Sequence, residues 1–213
     1  MVYEELRVRL VEMLKLEGRI KTKEVEKAFL EIPRENFVPD ELKKYAYSDT
    51  PLQIGNGQTI SAPHMVAIMV EELDIKNGQK ILEIGAGSGY HAAIVSKLVG
   101  KKGHVYTIER FASLAETCKK NLKKTGVTNV TVVIGDGSEG LTEYAPYDRI
   151  YVTCAGPDVP KPLIEQLKDG GKLMIPVGRT ICNLELIEKK QGKLKYKDLG
   201  GCAFVPLVGK YGY

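Results

Sequence analysis

The chain has 213 residues and a net charge of +4, with 43% hydrophobic and 27% charged residues, the make-up of an ordinary globular protein with room for a sizeable core. No apolar run reaches the ~18 residues of a membrane span, and the opening MVYEELRVRLVEML mixes charges throughout, unlike a signal peptide, so a cytoplasmic protein without membrane association is expected. The balance of 31 basic against 27 acidic residues is too mild to imply a nucleic-acid partner, and the lysine pairs at 101–102, 119–120, 123–124 and 189–190 are dispersed, as solvated faces are.

Residues 3–17 carry Leu6, Leu10, Met13 and Leu14 near helical spacing, and Gly18 closes that helix. A second helix is expected over 22–31, with Thr22 as N-cap and Val25, Ala28 and Phe29 on its inner face. Pro33, Pro39 and Pro51 punctuate an irregular region, and 51–60 reads as loop or short strand. Residues 62–73 form a helix with Met65, Ile68, Met69 and Leu73 facing inward. From residue 80 the pattern changes to alternating strands (80–84, 104–109, 130–135, 147–153, 171–177) and helices (88–99, 111–125, 160–168). Such alternation predicts an α/β fold with a doubly wound, mostly parallel sheet. Two last strands, 182–190 and 193–205, are joined by the turn Gln191-Gly192, too short for anything but antiparallel pairing. About seven strands are expected in one domain: an N-terminal helical segment (1–75), a core (76–178) and antiparallel C-terminal strands (179–213).

Cys118, Cys154, Cys182 and Cys202 are widely spaced, with no C-x-x-C pair and no clustered histidine, so no metal site is expected. Reduced, mostly buried thiols are the plain expectation, because disulfides are unusual in the cytoplasm outside heat-loving organisms. High Lys and Glu with no Trp leans toward such an organism.

The strongest local signal is Glu83-Ile84-Gly85-Ala86-Gly87-Ser88-Gly89, directly after a strand and opening a helix. Its glycines let the backbone turn sharply and approach a ligand, at the strand ends where open α/β sheets bind. The third glycine comes one residue early for a dinucleotide fingerprint, and Tyr90 sits where that fingerprint wants glycine, which disfavours a dehydrogenase. G-x-G-x-G with an acid just before it resembles motif I of the class I methyltransferases that use S-adenosyl-L-methionine (SAM). Glu109 ends the next strand, 20 residues after Gly89, where such enzymes hold the ribose hydroxyls. Asp136-Gly137 follows the third strand, where an acid of this class meets the adenine amine. Either acid alone also suits a solvated strand end.

The string QIGNGQTISAPHM (53–65), with KAFLEIPRENFVP (27–39), APYDRIYVTCAGPDVPKPLIEQLKDGGKLMIPVG (145–178) and AFVPLVG (203–209), resembles the protein-L-isoaspartate O-methyltransferases from about residue 5 to the C-terminus. Small departures are Ala86, where that family often has Thr or Ser, and Cys154 and Gly156 in an otherwise Ala-rich stretch. The resemblance implies transfer of a methyl group from SAM to the carboxylate of L-isoaspartyl residues in damaged proteins, leaving S-adenosyl-L-homocysteine, by a cytosolic, often monomeric enzyme without a metal. It implies Ser61 as the catalytic residue; Thr59, Ile60 and Ser61 against the substrate; and Gln58, Thr59, His64, Glu83, Gly85, Gly87, Gly89, Glu109, Asp136 and Gly137 toward SAM.

Plainer readings stand beside these. Ser61 suits the N-cap of a helix starting at Ala62, with Pro63 in its first turn. His64 suits a surface histidine, and His91 and His104 structural or exposed ones. Tyr211 and Tyr213 suit either a frayed end or a cover for the substrate. A base-methylating enzyme would carry an Asn/Asp-Pro-Pro-aromatic motif after the fourth strand, where this chain has Thr153-Cys154-Ala155-Gly156-Pro157, and no Pro-Cys pair exists for cytosine chemistry. An RNA or small-molecule methyltransferase and an inactive SAM-binding module are the alternatives. An α-carboxylate of intrinsic pKa ~3.5 needs no general base at neutral pH. Alignment by a few neutral donors, the Ser61 hydroxyl and backbone N–H groups of 59–61, is the expected contribution of the protein.

Overall fold

Helical spacing of apolar residues produces α1 (Val2–Leu16) and α2 (Lys23–Glu31) at the start of a computed structural model that describes residues 2–179 and 181–213. Thr22 caps α2, its hydroxyl accepting the Val25 N–H at 3.4 Å, and Val25, Ala28 and Phe29 are buried. Two short 3-10 segments follow, Arg34–Asn36 and Asp40–Tyr45. Residues 51–60 are more ordered than the sequence suggested. They form a hairpin of β1 (Leu52–Gly55) and β2 (Gln58–Ile60). Its turn is Asn56-Gly57, with φ of 52° and 69°, the left-handed pair that matches strand twist in a two-residue hairpin.

After α3 (Pro63–Leu73) strands and helices alternate: β3 (Lys80–Ile84), α4 (Tyr90–Val99), β4 (His104–Glu109), α5 (Ala112–Lys124), β5 (Val130–Ile134), β6 (Tyr147–Val152), α6 (Lys161–Gln166) and β7 (Leu167–Gly178). β8 (Cys182–Lys190) and β9 (Lys193–Cys202) complete the sheet. Its order is β5-β4-β3-β6-β7-β8-β9. The first five strands run parallel, and β8 is antiparallel to both neighbours, so the sheet is mixed as the short Gln191-Gly192 turn requires. α6 stops at Gln166 rather than 168 because the chain straightens into β7 ahead of Gly170-Gly171. β9 stops at Cys202 rather than 205 because the chain leaves the edge to bridge Pro206 to Ala155.

In α3, Met69 and Leu73 are buried as expected, but Met65 and Ile68 are half-buried and Val66, Ala67 and Val70 take their places. The helix touches α2 on one side and β7 on the other, so its covered face is turned from the simple one-sided stripe. Strand alternation divides the core in two. Leu14, Phe29, Met69, Ile81, Val95 and Val105 join the N-terminal helices to one face of the sheet. Leu82, Ile84, Ile150, Leu163, Leu173 and Ile187 fill the other. Arg34, fully buried among the N-terminal elements, lies over the Tyr90 ring at 4.9 Å; burial lowers its pKa to about 10, still charged at neutral pH. The chain winds outward from β3 to β5, then returns to add β6 and β7 on the other side. That reversal opens a crevice at the carboxyl ends of β3 and β6.

Candidate active site

From β3 the chain turns through Gly85–Gly89 into α4. Gly85 has φ +94°, and a Cβ there would lie 2.3 Å from Thr153 Oγ1, so no other residue fits. Thr153, just past β6, shares its hydroxyl proton between Gly85 O at 2.7 Å and Ile84 O at 3.0 Å, which pins the loop across the crevice. Gly89 does a different job. A Cβ on it would meet Cys118 Sγ at 2.8 Å, so this glycine lets the loop settle on α5 and does not line the cleft.

Glu109 ends β4 beside this loop. Its carboxylate accepts the Gly87 N–H at 2.9 Å and the Phe111 N–H at 3.1 Å, two backbone donors that fix it at the cleft. The cleft lies at the carboxyl ends of β3, β4 and β6. Of the expected residues it gathers Gln58, Thr59, Gly85, Gly87, Glu109 and Gly137. It adds Arg110, Thr153 and the wall Val205–Val208, which the sequence reading did not single out. The signal for Thr153 was available: it follows a strand at the switch point. Val205–Val208 are apolar and carry no chemical mark beyond the AFVPLVG stretch.

Asp136 stands behind that wall. Its Oδ1 accepts the Ser138 N–H at 2.9 Å and the Ser138 O–H at 2.7 Å, and its Oδ2 accepts the Lys210 N–H at 2.7 Å. The acid thus caps the Gly137–Glu139 turn and ties it to the C-terminal residues, while Gly137 itself reaches the cleft. Tyr211 N–H donates to Ser138 Oγ at 3.0 Å and the Tyr213 hydroxyl to Gly178 O at 2.9 Å. The end of the chain is therefore folded against the cleft wall, not frayed.

A smaller recess adjoins the cleft, lined by Thr59, Ile60, Ser61, Glu83, Gly85, Gly87, Ser88 and His91. On its outer side runs a groove lined by Pro51, Thr59, Ser61, His64, Thr153 and Phe204. Ser61 borders both, and Thr59 and Thr153 border these and the main cleft. Ser61 is not a helix cap: Ala62 holds that position, and no side chain caps α3 from it. Asp49 serves the first turn instead, accepting the His64 N–H at 2.8 Å and holding His64 Nδ1 at 2.9 Å. His64, expected with the cofactor set, lies in the groove beside Ser61.

Glu83 is fully buried beneath the glycine loop. The Thr107 hydroxyl donates to its Oε2 at 2.5 Å, while Oε1 and the neighbouring Tyr151 hydroxyl fall short of an aligned hydrogen bond. Burial pushes the Glu83 pKa up to about 8, against the opposing pull of Thr107, so the acid is mostly protonated at neutral pH. His91 packs at a tilt against Tyr151, ring centroids 4.4 Å apart, and burial lowers its pKa to about 3, which keeps the imidazole neutral. His104 is structural, with Nε2 2.8 Å from Thr131 Oγ1. Among the described residues no three His, Cys, Asp or Glu side chains gather as metal ligands would.

The glycine cradle that a Cβ would fill, the fixed acid at the end of β4 and the unsatisfied Oε1 of Glu83 together suit a nucleoside carrying a polar, charged tail. On a sheet wound in this order they define a class I SAM-dependent methyltransferase fold. Residues 5–212 match the family model described as protein-L-isoaspartate(D-aspartate) O-methyltransferase, and the chain belongs to that family. It is 59% identical to the protein-L-isoaspartate O-methyltransferase of Methanococcus aeolicus across 92% of this chain and 91% of that one. With that of Hyperthermus butylicus it shares 54% identity across 99% and 92% of the two chains. A solved protein-L-isoaspartate O-methyltransferase superposes with a TM-score of 0.87 at 35% identity, covering 97% of this chain and 67% of that one. The Plasmodium falciparum protein-L-isoaspartate O-methyltransferase, solved with S-adenosyl-L-homocysteine, gives 0.85 at 28% identity over 94% and 97%.

Proposed function

We propose that the protein transfers a methyl group from SAM to the free α-carboxylate of L-isoaspartyl residues in damaged proteins and peptides, with S-adenosyl-L-homocysteine as the other product. The carrying observation is Ser61: relieved of capping by Asp49, it borders both the recess under the glycine loop and the outer groove. Gln58, Thr59, Gly85, Gly87, Glu109 and Gly137 hold the cofactor, with Glu83 toward its polar tail, while Gly89 and Asp136 shape the loop and turn behind it. Thr59, Ile60 and Ser61 meet the substrate, with His64 beside them. When bound, the cofactor supplies an electrophilic methyl group on a sulfonium.

An α-carboxyl of intrinsic pKa ~3.5 is already ionised at neutral pH, so the chain supplies neither a general base nor a metal. Its task is to hold the carboxylate in line, an effect worth up to ~7–11 kcal/mol in favourable cases. Ser61 orients the anion as a neutral donor. A cationic clamp would over-stabilise the ground state and slow attack. The hairpin of β1 and β2 fixes that donor, since Ile60 pairs with Leu52 directly before Ser61.

Isoaspartyl proteins are the partners, with no role for nucleic acid or a membrane, and the enzyme works as a cytoplasmic monomer. The mild net charge speaks against a nucleic-acid partner, and among the described residues no helix is long and apolar enough to cross a membrane. The test uses methyl-labelled SAM and two peptides that differ only in L-isoaspartate against L-aspartate. Base-labile ester on the first alone is expected. Ester on neither, with SAM binding intact by calorimetry, overturns the assignment and points to RNA or small-molecule acceptors. Ser61→Ala is expected to lower turnover while leaving SAM affinity nearly unchanged, and a collapse of SAM binding would refute the role given to it.

A further inference from the structure

At the open end of the β8–β9 hairpin, Cys182 and Cys202 are directly opposed in the antiparallel register. Both are free thiols, Cys182 buried and Cys202 half-buried. Opposed residues of antiparallel strands carry their side chains on the same face, with Cα atoms about 4.5–5.5 Å apart, inside the roughly 4.4–6.8 Å range of a disulfide. Their Cβ atoms stand about 4.5–5.5 Å apart against about 3.5–4.5 Å in the bridge, so closure asks for about 1 Å of approach.

The local backbone can supply that approach. β9 is an edge strand, free on one side. Gly200 and Gly201 precede Cys202, and a Cβ on either would meet nothing within 4 Å. The register also shifts between Asn183 and Glu185, so the pairing is already irregular there. The Cys182 thiol, which donates to Gly178 O at 3.3 Å and more distantly to Arg179 O at 3.9 Å, gives up only these weak bonds. Neither remaining cysteine is so placed: Cys118 lies on α5 and Cys154 just past β6.

We infer that Cys182 and Cys202 are a modification site at which a small-molecule disulfide produces an intrachain bridge, stapling the hairpin where it borders the groove beside Ser61. The Cys202 thiolate attacks one sulfur of the small disulfide; the old S–S bond breaks and one small thiol leaves. Cys182 then loses its proton and attacks the Cys202 sulfur of the mixed disulfide, and the second small thiol leaves. Two protein thiols are oxidised and one small disulfide is reduced to two thiols, so electrons and protons balance. Burial, then Cys182 and Asp198, push the Cys202 pKa up to about 11, so the bridge forms slowly at neutral pH and faster as pH rises. Gly201 to Val205 line the groove, so the staple fixes its rim.

The experiment incubates the folded protein with glutathione disulfide at several pH values, quenches with acid, and reads intact mass and non-reduced peptide maps. The expected product is two hydrogen atoms lighter, with Cys182 and Cys202 in one linked fragment, formed roughly ten times faster per pH unit below pH 11. Its thermal midpoint rises by about 5–10 °C, as closure of a loop of this length predicts. Cys182→Ser stops at one glutathione per chain, on Cys202. A wild-type protein that also stops at the mixed disulfide, stays unmodified at pH 9 while its unfolded form reacts, or links other cysteines overturns the inference.

Discussion

Glu83→Gln probes the least ordinary group in the site. The folded protein holds Glu83 with a pKa of about 8, whereas the unfolded chain titrates it at 4.5. Between those values the folded state keeps a proton that the unfolded state releases. Stability therefore falls as pH rises through that window and levels above it. From pH 5 to pH 8 the drop is about 3 units at 1.36 kcal/mol each, or about 4 kcal/mol, with no discount for solvent because the side chain is fully buried. Glutamine keeps the shape, accepts the Thr107 hydroxyl and cannot ionise. The assay is urea unfolding of cofactor-free wild type and variant at pH 5, 6, 7 and 8. The variant is expected to match wild type near pH 5 and exceed it progressively, by about 4 kcal/mol at pH 8. A difference that stays flat within about 1 kcal/mol would mean that Glu83 is ionised in the folded protein, and the account of its environment would be wrong.

Other substitutions test the supports of the site. Glu109→Ala removes the acid fixed by Gly87 and Phe111 N–H and is expected to weaken SAM binding about 10–100-fold, read by calorimetry. Thr153→Val keeps the shape and the backbone N–H bond to Ile84 O but frees Gly85 O; about 1 kcal/mol of stability and a several-fold rise in KM for SAM are expected, and an unchanged KM would show that the loop needs no pin. Gln166→Ala orphans the Leu141 N–H and Glu139 O that the amide now satisfies at 2.7 and 2.8 Å, so a loss of about 2–4 kcal/mol is expected in urea unfolding.

Much of this protein is local, and the sequence determined that part. Helix and strand periods differ, so the alternation from β3 to β7 announced a doubly wound sheet. A two-residue turn at Gln191-Gly192 forced β8 and β9 to run antiparallel. Gly85, Gly87 and Glu109 were legible because few other residue types serve where a strand end borders a cleft, whereas Gly89, read with them, packs against α5. What a side chain faces across long sequence distance was not legible. Ser61, implied as catalytic by resemblance, read in the residues alone as a helix cap, and only the fold showed Asp49 reaching the first turn of α3 instead. Asp136 read as a ligand contact, but in the fold its Oδ1 accepts from Ser138 and its Oδ2 from the Lys210 N–H, because a carboxylate takes whichever donors packing delivers. Glu83 looked like any acid in a motif; only burial beside Thr107 and Tyr151 made it a neutral one. The sequence determined which groups were present and which local turns they made. The tertiary structure decided their partners and their charge, since hydrogen bonding and desolvation depend on neighbours contributed by distant parts of the chain.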